Sequence, residues 1–164
     1  MEKHAIGALF DAMLAFDAGD ARRIQHFIKV HAFAKRIGEK EGLPEHTQRV
    51  LEAAALVHDI GIHAAEQKYQ STAGNLQEKE GAPLAAAMLE KLGWPSDDVA
   101  RVSYLVGHHH TYRGGDGKDY QILLEADFLV NAYEDAMKAP QIQAFAEKVF
   151  RTESGKAMLK TMFG

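Results

Sequence analysis

The chain has 164 residues, about the size of one domain, with 46% hydrophobic and 26% charged residues, so neither a disordered nor a membrane-embedded composition fits. Nineteen Lys and Arg against twenty-three Asp and Glu leave a formal net charge of −4, which argues against a nucleic-acid partner held through phosphate contacts. Cysteine is absent and histidine occurs nine times; disulfide scaffolds, thiolate metal sites and cysteine nucleophiles are excluded, and any bound metal must rest on imidazole and carboxylate.

Apolar spacing is helical along most of the chain. Ala5, Leu9, Ala12, Met13 and Phe16 form one stripe that stops at Gly19. Asp20 is placed to cap a second helix over 20–38, with Ile24, Phe27, Val30, Phe33 and Ile37 on its apolar face. A turn with Gly42 and Pro44 leads to a third helix carrying Val50, Leu51, Ala54, Ala55, Leu56 and Val57, which breaks at Gly61. Residues 62–80 have little periodicity and several small or polar side chains, and are expected to form a long loop. Pro83 suits the first turn of the next helix, running to Leu92. Ser96 is the candidate cap of a fifth helix, in which Val99, Val102, Leu105 and Val106 lead into His108, His109 and His110. A Gly-rich loop over 111–120 precedes a long apolar helix over 121–137; Pro140 opens another, and 153–163 reads as a last short one. No run alternates in the manner of a strand. The expected fold is a single all-α domain over 1–164, with core motifs within about 20–137 and the helices of 140–164 packing on them. The first twenty residues lack a signal-type apolar run, being interrupted by Asp11 and Asp17, and no segment approaches the roughly eighteen apolar residues of a membrane span. A cytoplasmic location is therefore expected, without a membrane partner.

Three polar groups fall on faces that should be buried. His58 follows Leu51, Ala54 and Ala55 by seven, four and three residues, so it points inward, with Asp59 beside it at the helix end. His26 precedes Val30, Phe33 and Ile37 by four, seven and eleven. Asp127 sits within ILLEADFLV, four after Leu123 and three before Val130. Buried acids need a counter-charge, and three helices each burying a ligand-type side chain favour one metal site over three separate polar networks.

The order His26, His58-Asp59, Asp127 resembles the HD-domain metal-dependent phosphohydrolase superfamily. The local contexts agree: Arg23 to Val30 around the first motif, His58-Asp59-Ile60-Gly61 in the second, Glu125-Ala126-Asp127 in the last. The resemblance spans roughly residues 20–137 and implies that His26, His58, Asp59 and Asp127 are metal ligands between core helices. Two nitrogens and two carboxylates suit a divalent transition metal such as Mn²⁺, Fe²⁺, Co²⁺, Ni²⁺ or Zn²⁺, with Mg²⁺ also accommodated. Relatives with two or three ions carry a His-His pair before a Gly-rich loop; here His109 belongs to either register, with His108 or His110 as its companion, so one ion or two is expected. Asp59 and His109 are the candidate catalytic residues. Arg23, Arg113 and His63 are the candidate substrate-binding ones, while Lys29, Lys68, His31 and His46 read as surface or structural. Ile62 stands where relatives that cleave cyclic dinucleotides carry Lys, and Gln77-Glu78-Lys79-Glu80 where they carry His; Glu78 or Glu80 is either a replacement for that ligand or, the preferred reading, part of an exposed acidic loop. The expected function is hydrolysis of a small phosphate ester, nucleotides included, by metal-activated water. A di-iron oxygenase and a non-catalytic ligand-sensing module are the alternatives. Trp94, Phe145, Phe150 and the C-terminal helix leave packing within the chain and packing in a homo-oligomer both open.

Overall fold

A computed structural model describes residues 5–111 and 116–164. Among them the regular structure is entirely helical: α1 (Ala5–Phe16), α2 (Ala21–Lys40), α3 (Glu45–Val57), α4 (Ile62–Tyr69), α5 (Gly74–Lys91), α6 (Ser96–Val106), α7 (Lys118–Glu134), α8 (Ala139–Val149) and α9 (Glu153–Phe163). None of these helices is long and apolar enough to cross a membrane.

Two of the helices make the centre. From Val50 to His58 only Glu52 escapes burial, and three successive alanines (Ala53, Ala54, Ala55) let neighbouring helices approach α3 on every side. α7 is buried without a break from Ile122 to Val130. α2 packs on both α3 and α7, α6 packs on α3 and α5, and α1 covers α3. Asp20 caps α2 as expected, its side chain accepting the Arg23 N–H at 3.1 Å. Ser96 does not cap: Pro95 occupies that position, and Ser96 is the first helical residue, with Asp97 and Asp98 in the first turn.

The expectation of a loop over 62–80 is wrong. That stretch forms α4 and the start of α5, and Pro83 lies inside α5 rather than opening it. Gly74, Gly81 and Pro83 weaken the local helical signal, but α5 is held from outside by α4 and α6. A direct tie is Ser103 Oγ donating to the Ala82 carbonyl at 3.0 Å, one residue before the proline.

The C-terminal helices are stitched to α7 by a buried acid. Glu125 is completely buried and accepts from Arg151 N–H (2.9 Å), Thr152 N–H (3.1 Å), Thr152 Oγ (2.6 Å) and Gln121 Nε2 (2.6 Å). Phe145 stacks on Phe128 with centroids 3.9 Å apart, and Phe150 meets the same ring edge-on. Trp94 and Phe150 are buried within the chain, so neither offers a surface to a second copy.

Gly7 is an exposed mid-helix residue of α1 whose added Cβ would meet nothing within 4 Å. Gly7→Ala is therefore expected to stabilise the fold by about 0.5–1 kcal/mol, read as a raised urea midpoint at unchanged slope.

Candidate metal centre

Three helices deliver their polar side chains to one point. His26 comes from the buried face of α2, His58 and Asp59 from the turn that ends α3, and Asp127 from the middle of α7. His26 Nε2 and His58 Nε2 lie 3.2 Å apart. Asp127 Oδ1 is 3.2 Å from each of them, and Asp59 Oδ2 is 3.2 Å from His26 Nε2 and 3.4 Å from His58 Nε2. His109, from the turn after α6, approaches from the other side with Nε2 3.3 Å from Asp59 Oδ1.

The outer nitrogens of these rings are already committed. His58 Nδ1 donates to the Ala55 carbonyl and His109 Nδ1 to the Val106 carbonyl, each at 2.7 Å; His26 Nδ1 donates to Glu134 Oε1 at 2.7 Å. With Nδ1 holding the proton, each neutral ring presents the lone pair of Nε2 to the cluster. Lone pairs then face carboxylate oxygens: Arg23 donates to Asp59 Oδ2, but the buried Asp127 Oδ1 has no hydrogen-bond partner. Such a set needs a cation. Ligands about 2.1 Å from an octahedral ion lie roughly 3.0 Å from their neighbours, close to the 3.2–3.4 Å found here. His26, His58 and Asp59 form one group able to hold a metal ion, and Asp59, His109 and His110 a second that shares Asp59.

In the absence of an ion, protons take its place. Burial opposes a charge on His26, but Asp127 and Asp59 outweigh it and raise its pKa to about 9. Burial likewise opposes charge on His58, and Asp59 and Asp127 hold it well above its ordinary value. Burial would raise the two acids, yet His58 leads the neighbours that keep both below the usual carboxylate range. His110 goes the other way, pushed down to about 4 by burial and by His109. The sign of the pH dependence follows: at neutral pH a cation must expel protons from His26 and His58. Metal affinity of chelator-treated protein is expected to climb with pH until about 9 is passed, with net proton release measured by calorimetry in buffers of different ionisation enthalpy.

The other sequence candidates divide. Arg23 reaches the cluster, donating to Asp59 Oδ2 at 2.9 Å. His63 sits at the edge of the same cavity, 3.2 Å from Asp20 and 3.5 Å from Asp17. His108 is not brought to the cluster: its ring stacks on Tyr104 and its Nδ1 donates to the Tyr104 carbonyl at 2.8 Å. Of the two registers, the structure gathers His109 with His110. Arg113 lies outside the described residues. His31 pairs with Glu52 at 3.1 Å and His46 with Asp98, away from the centre. Lys68 pairs with Glu80.

Two contributors, Glu134 and Gln77, were missed in the sequence, and Glu78, read there as a replacement ligand or an exposed acid, has a different part. Glu134 holds His26 Nδ1 and is itself held by Lys29 Nζ at 2.7 Å; the signal was a carboxylate seven residues after Asp127, on the same helical face. Gln77 accepts from His110 Nε2 at 3.0 Å, and Glu78 accepts the His110 N–H at 2.9 Å and the Thr111 hydroxyl. The start of α5 thus holds the histidine turn in place. Because Glu134 fixes the His26 tautomer, Glu134→Ala is expected to weaken metal binding about 10- to 100-fold, and Glu134→Gln, which keeps an acceptor, far less. Titration calorimetry checks both.

A family model described as HD domain matches residues 23–147. No curated protein matches the chain, and no solved structure does.

Proposed function

The chain belongs to the HD-domain family, and from that premise we propose that it is a metal-dependent hydrolase of small phosphate esters. One observation supports the reading above the others: two histidines and two carboxylates converge with their acceptor atoms facing one another, and Asp127 Oδ1 has no partner. His26, His58, Asp59 and Asp127 would hold the ion, and Asp59 would reach a second one shared with His109 and His110. A divalent ion there lowers the pKa of a water and offsets negative charge on phosphoryl oxygens.

The chain's own residues supply the rest. Asp59 presents Oδ2 to His26 and His58 and Oδ1 to His109, so one side chain registers both halves of the centre. Arg23 fixes Asp59 through a single N–H and keeps further guanidinium donors for a phosphoryl oxygen. His63 stands at the cavity wall, where it meets the body of the ester. Hydrolysis adds the oxygen of water to phosphorus and breaks the bond to the ester oxygen, which leaves with a proton as the alcohol. Residues 1–164 act in this reading as one unit.

The test is turnover of a broad phosphoester panel by chelator-treated protein re-supplied with Mn²⁺, Fe²⁺, Co²⁺, Ni²⁺, Zn²⁺ or Mg²⁺. Metal-dependent phosphate release supports the proposal; an ion-loaded, folded protein inert on the whole panel overturns it. The Asp59–His109–His110 group favours a second reading, an iron-dependent oxygenase with two ions, which oxygen consumption on iron loading distinguishes.

A further inference from the structure

Asp119 is a buried carboxylate in the first turn of α7, away from the metal centre. Arg101 of α6 holds it by two bonds, Nε to Oδ2 at 2.9 Å and Nη2 to Oδ1 at 2.7 Å. The same guanidinium donates to the Asp116 carbonyl at 2.6 Å and to Asp116 Oδ1 at 3.1 Å. A largely buried pair of this kind adds little net stability over apolar packing, because both charges leave water. Its clearest use is to fix one register between two elements, and the guanidinium fork sets an angle as well as a distance. Gly117 shows how closely the pair is built in. Its φ is +89°, and an added Cβ would lie 2.7 Å from Asp119 Oδ1 and 2.8 Å from Arg101 Nη2.

From Arg101 the contacts run to the histidine turn. Tyr104 follows Arg101 by three residues and His108 follows Tyr104 by four, which puts them on one side of α6 and its continuation. The guanidinium lies over the Tyr104 ring, 5.0 Å from its centroid, and that ring stacks on His108 with centroids 4.2 Å apart and planes at 24°. Tyr120 donates its N–H to Asp119 Oδ1 at 2.8 Å and its hydroxyl to the His108 carbonyl at 3.0 Å. The contacts therefore close, from Asp119 through Arg101, Tyr104, His108 and Tyr120 back to Asp119.

His108 is thus held both by its ring and by its carbonyl, and that carbonyl belongs to the peptide bond that leads into His109. Rotation of this peptide would swing His109, whose Nδ1 donates to the Val106 carbonyl at 2.7 Å and whose Nε2 faces Asp59 Oδ1 at 3.3 Å. Gln77 and Glu78 hold His110, so His109 is fixed between two anchored neighbours. Resting on the reading that Asp59, His109 and His110 hold an ion, we propose that Arg101 is a positioning residue for that ion. It acts through Tyr104 and Asp119, which lock the peptide between His108 and His109 so that His109 Nε2 meets Asp59 without rearrangement. His108, the member of the triplet that stays away from the cluster, is the handle by which the turn is held.

The experiment titrates Co²⁺ into the chelator-treated full chain and its variants, followed by visible absorption, with His109→Ala marking the equivalent that belongs to His109. Arg101→Ala is expected to weaken that equivalent about 10- to 100-fold and to leave the other within about twofold. Tyr120→Phe, which removes one hydroxyl and keeps the buried ring, is expected to weaken the same equivalent about tenfold. Tyr104→Phe, which keeps the stacked ring, is expected to match the unaltered chain, and Tyr104→Leu to reproduce the Arg101→Ala defect. A merely structural role would weaken both equivalents alike; that result, or no change in either, overturns the proposal. If the unaltered chain binds one equivalent, or His109→Ala spares both, the reading of a second ion fails instead. The imidazole N–H resonances of the ion-free protein then decide this proposal. Broadening of the His109 Nδ1–H signal in Arg101→Ala, with that of His58 unmoved, supports it, and any other pattern overturns it.

Discussion

Asp59→Ala is expected to abolish metal-dependent phosphate release and to cost more metal affinity than the roughly 100-fold that removing an outer hydrogen-bond partner such as Glu134 costs. The reason is its position. Oδ2 faces His26 and His58, Oδ1 faces His109, and Arg23 donates to Oδ2, so the truncation removes charge from both candidate ion groups at once. It also leaves the Arg23 guanidinium, with a side chain 19% exposed, beside a cluster that has lost an anion. Circular dichroism should nevertheless keep the helical signal, because the apolar packing of α2, α3 and α7 does not involve Asp59. Asp59→Asn, which keeps the volume and drops the charge, should reproduce the metal defect. Retained metal stoichiometry in both variants would remove Asp59 from the centre.

Gly61→Ala carries the largest expected effect on stability. Gly61 has an ordinary helical conformation, so backbone freedom is not what the position requires. It requires space: an added Cβ would lie 2.3 Å from the Gln77 carbonyl oxygen, 2.5 Å from Gly81 N and 2.8 Å from Gly81 Cα. Those are backbone atoms of α5, and no rotamer change can move them aside. The turn after His58-Asp59 and the helix carrying Gln77 touch main chain to main chain, and α5 must be pushed away to admit a methyl group. We expect a loss of about 3 kcal/mol, or roughly 6–12 °C in Tm for a chain of this size. Because Gln77 and Glu78 hold His110, the displacement should also loosen the Asp59–His109–His110 group more than the His26–His58–Asp127 side. Thermal denaturation reads the first effect and ion stoichiometry the second. The contrast with Gly7→Ala, which meets nothing and should stabilise, separates crowding from helix propensity within one protein.

Gly155 shows the same principle against a side chain. A Cβ there would fall 1.9 Å from Glu125 Oε1, and Glu125 cannot swing away because Gln121, Arg151 and Thr152 all donate to it. Glu125 was legible in the sequence only as a neighbour of Asp127. Its role as the fastening for α9 comes from residues 26 and 27 positions later, a separation that no local pattern reveals.

Much of the cluster was readable because helical periodicity alone decides which side of a helix is buried. His26, His58 and Asp127 each sat on an apolar stripe, and burial of a ligand-type group on three separate helices was the clue. The periodic signal failed where helices are held by neighbours instead of by a stripe of their own. α4 and the first half of α5 read as loop because Gly74, Gly81 and Pro83 lower local propensity, while α4, α6 and the turn at Gly61 supply the contacts that keep them helical. The same gap hid Gln77 and the part that Glu78 plays in holding His110.

Spacing and residue chemistry within one or two turns were enough for the all-α class, the capping of α2 by Asp20 and the inward direction of His26, His58 and Asp127. Which histidine of the triplet joins Asp59, and what holds each ring, depended on how the helices pack. After α6 the chain turns out of helical register, so His108 stacks on Tyr104 while His109 and His110 turn towards the cavity. The tertiary structure also brought Glu134 onto His26 and set five carboxylates around one cavity, because distances between side chains on different helices depend on how the helices pack. The absence of cysteine said which atoms a metal would have to use; packing determined where their lone pairs meet.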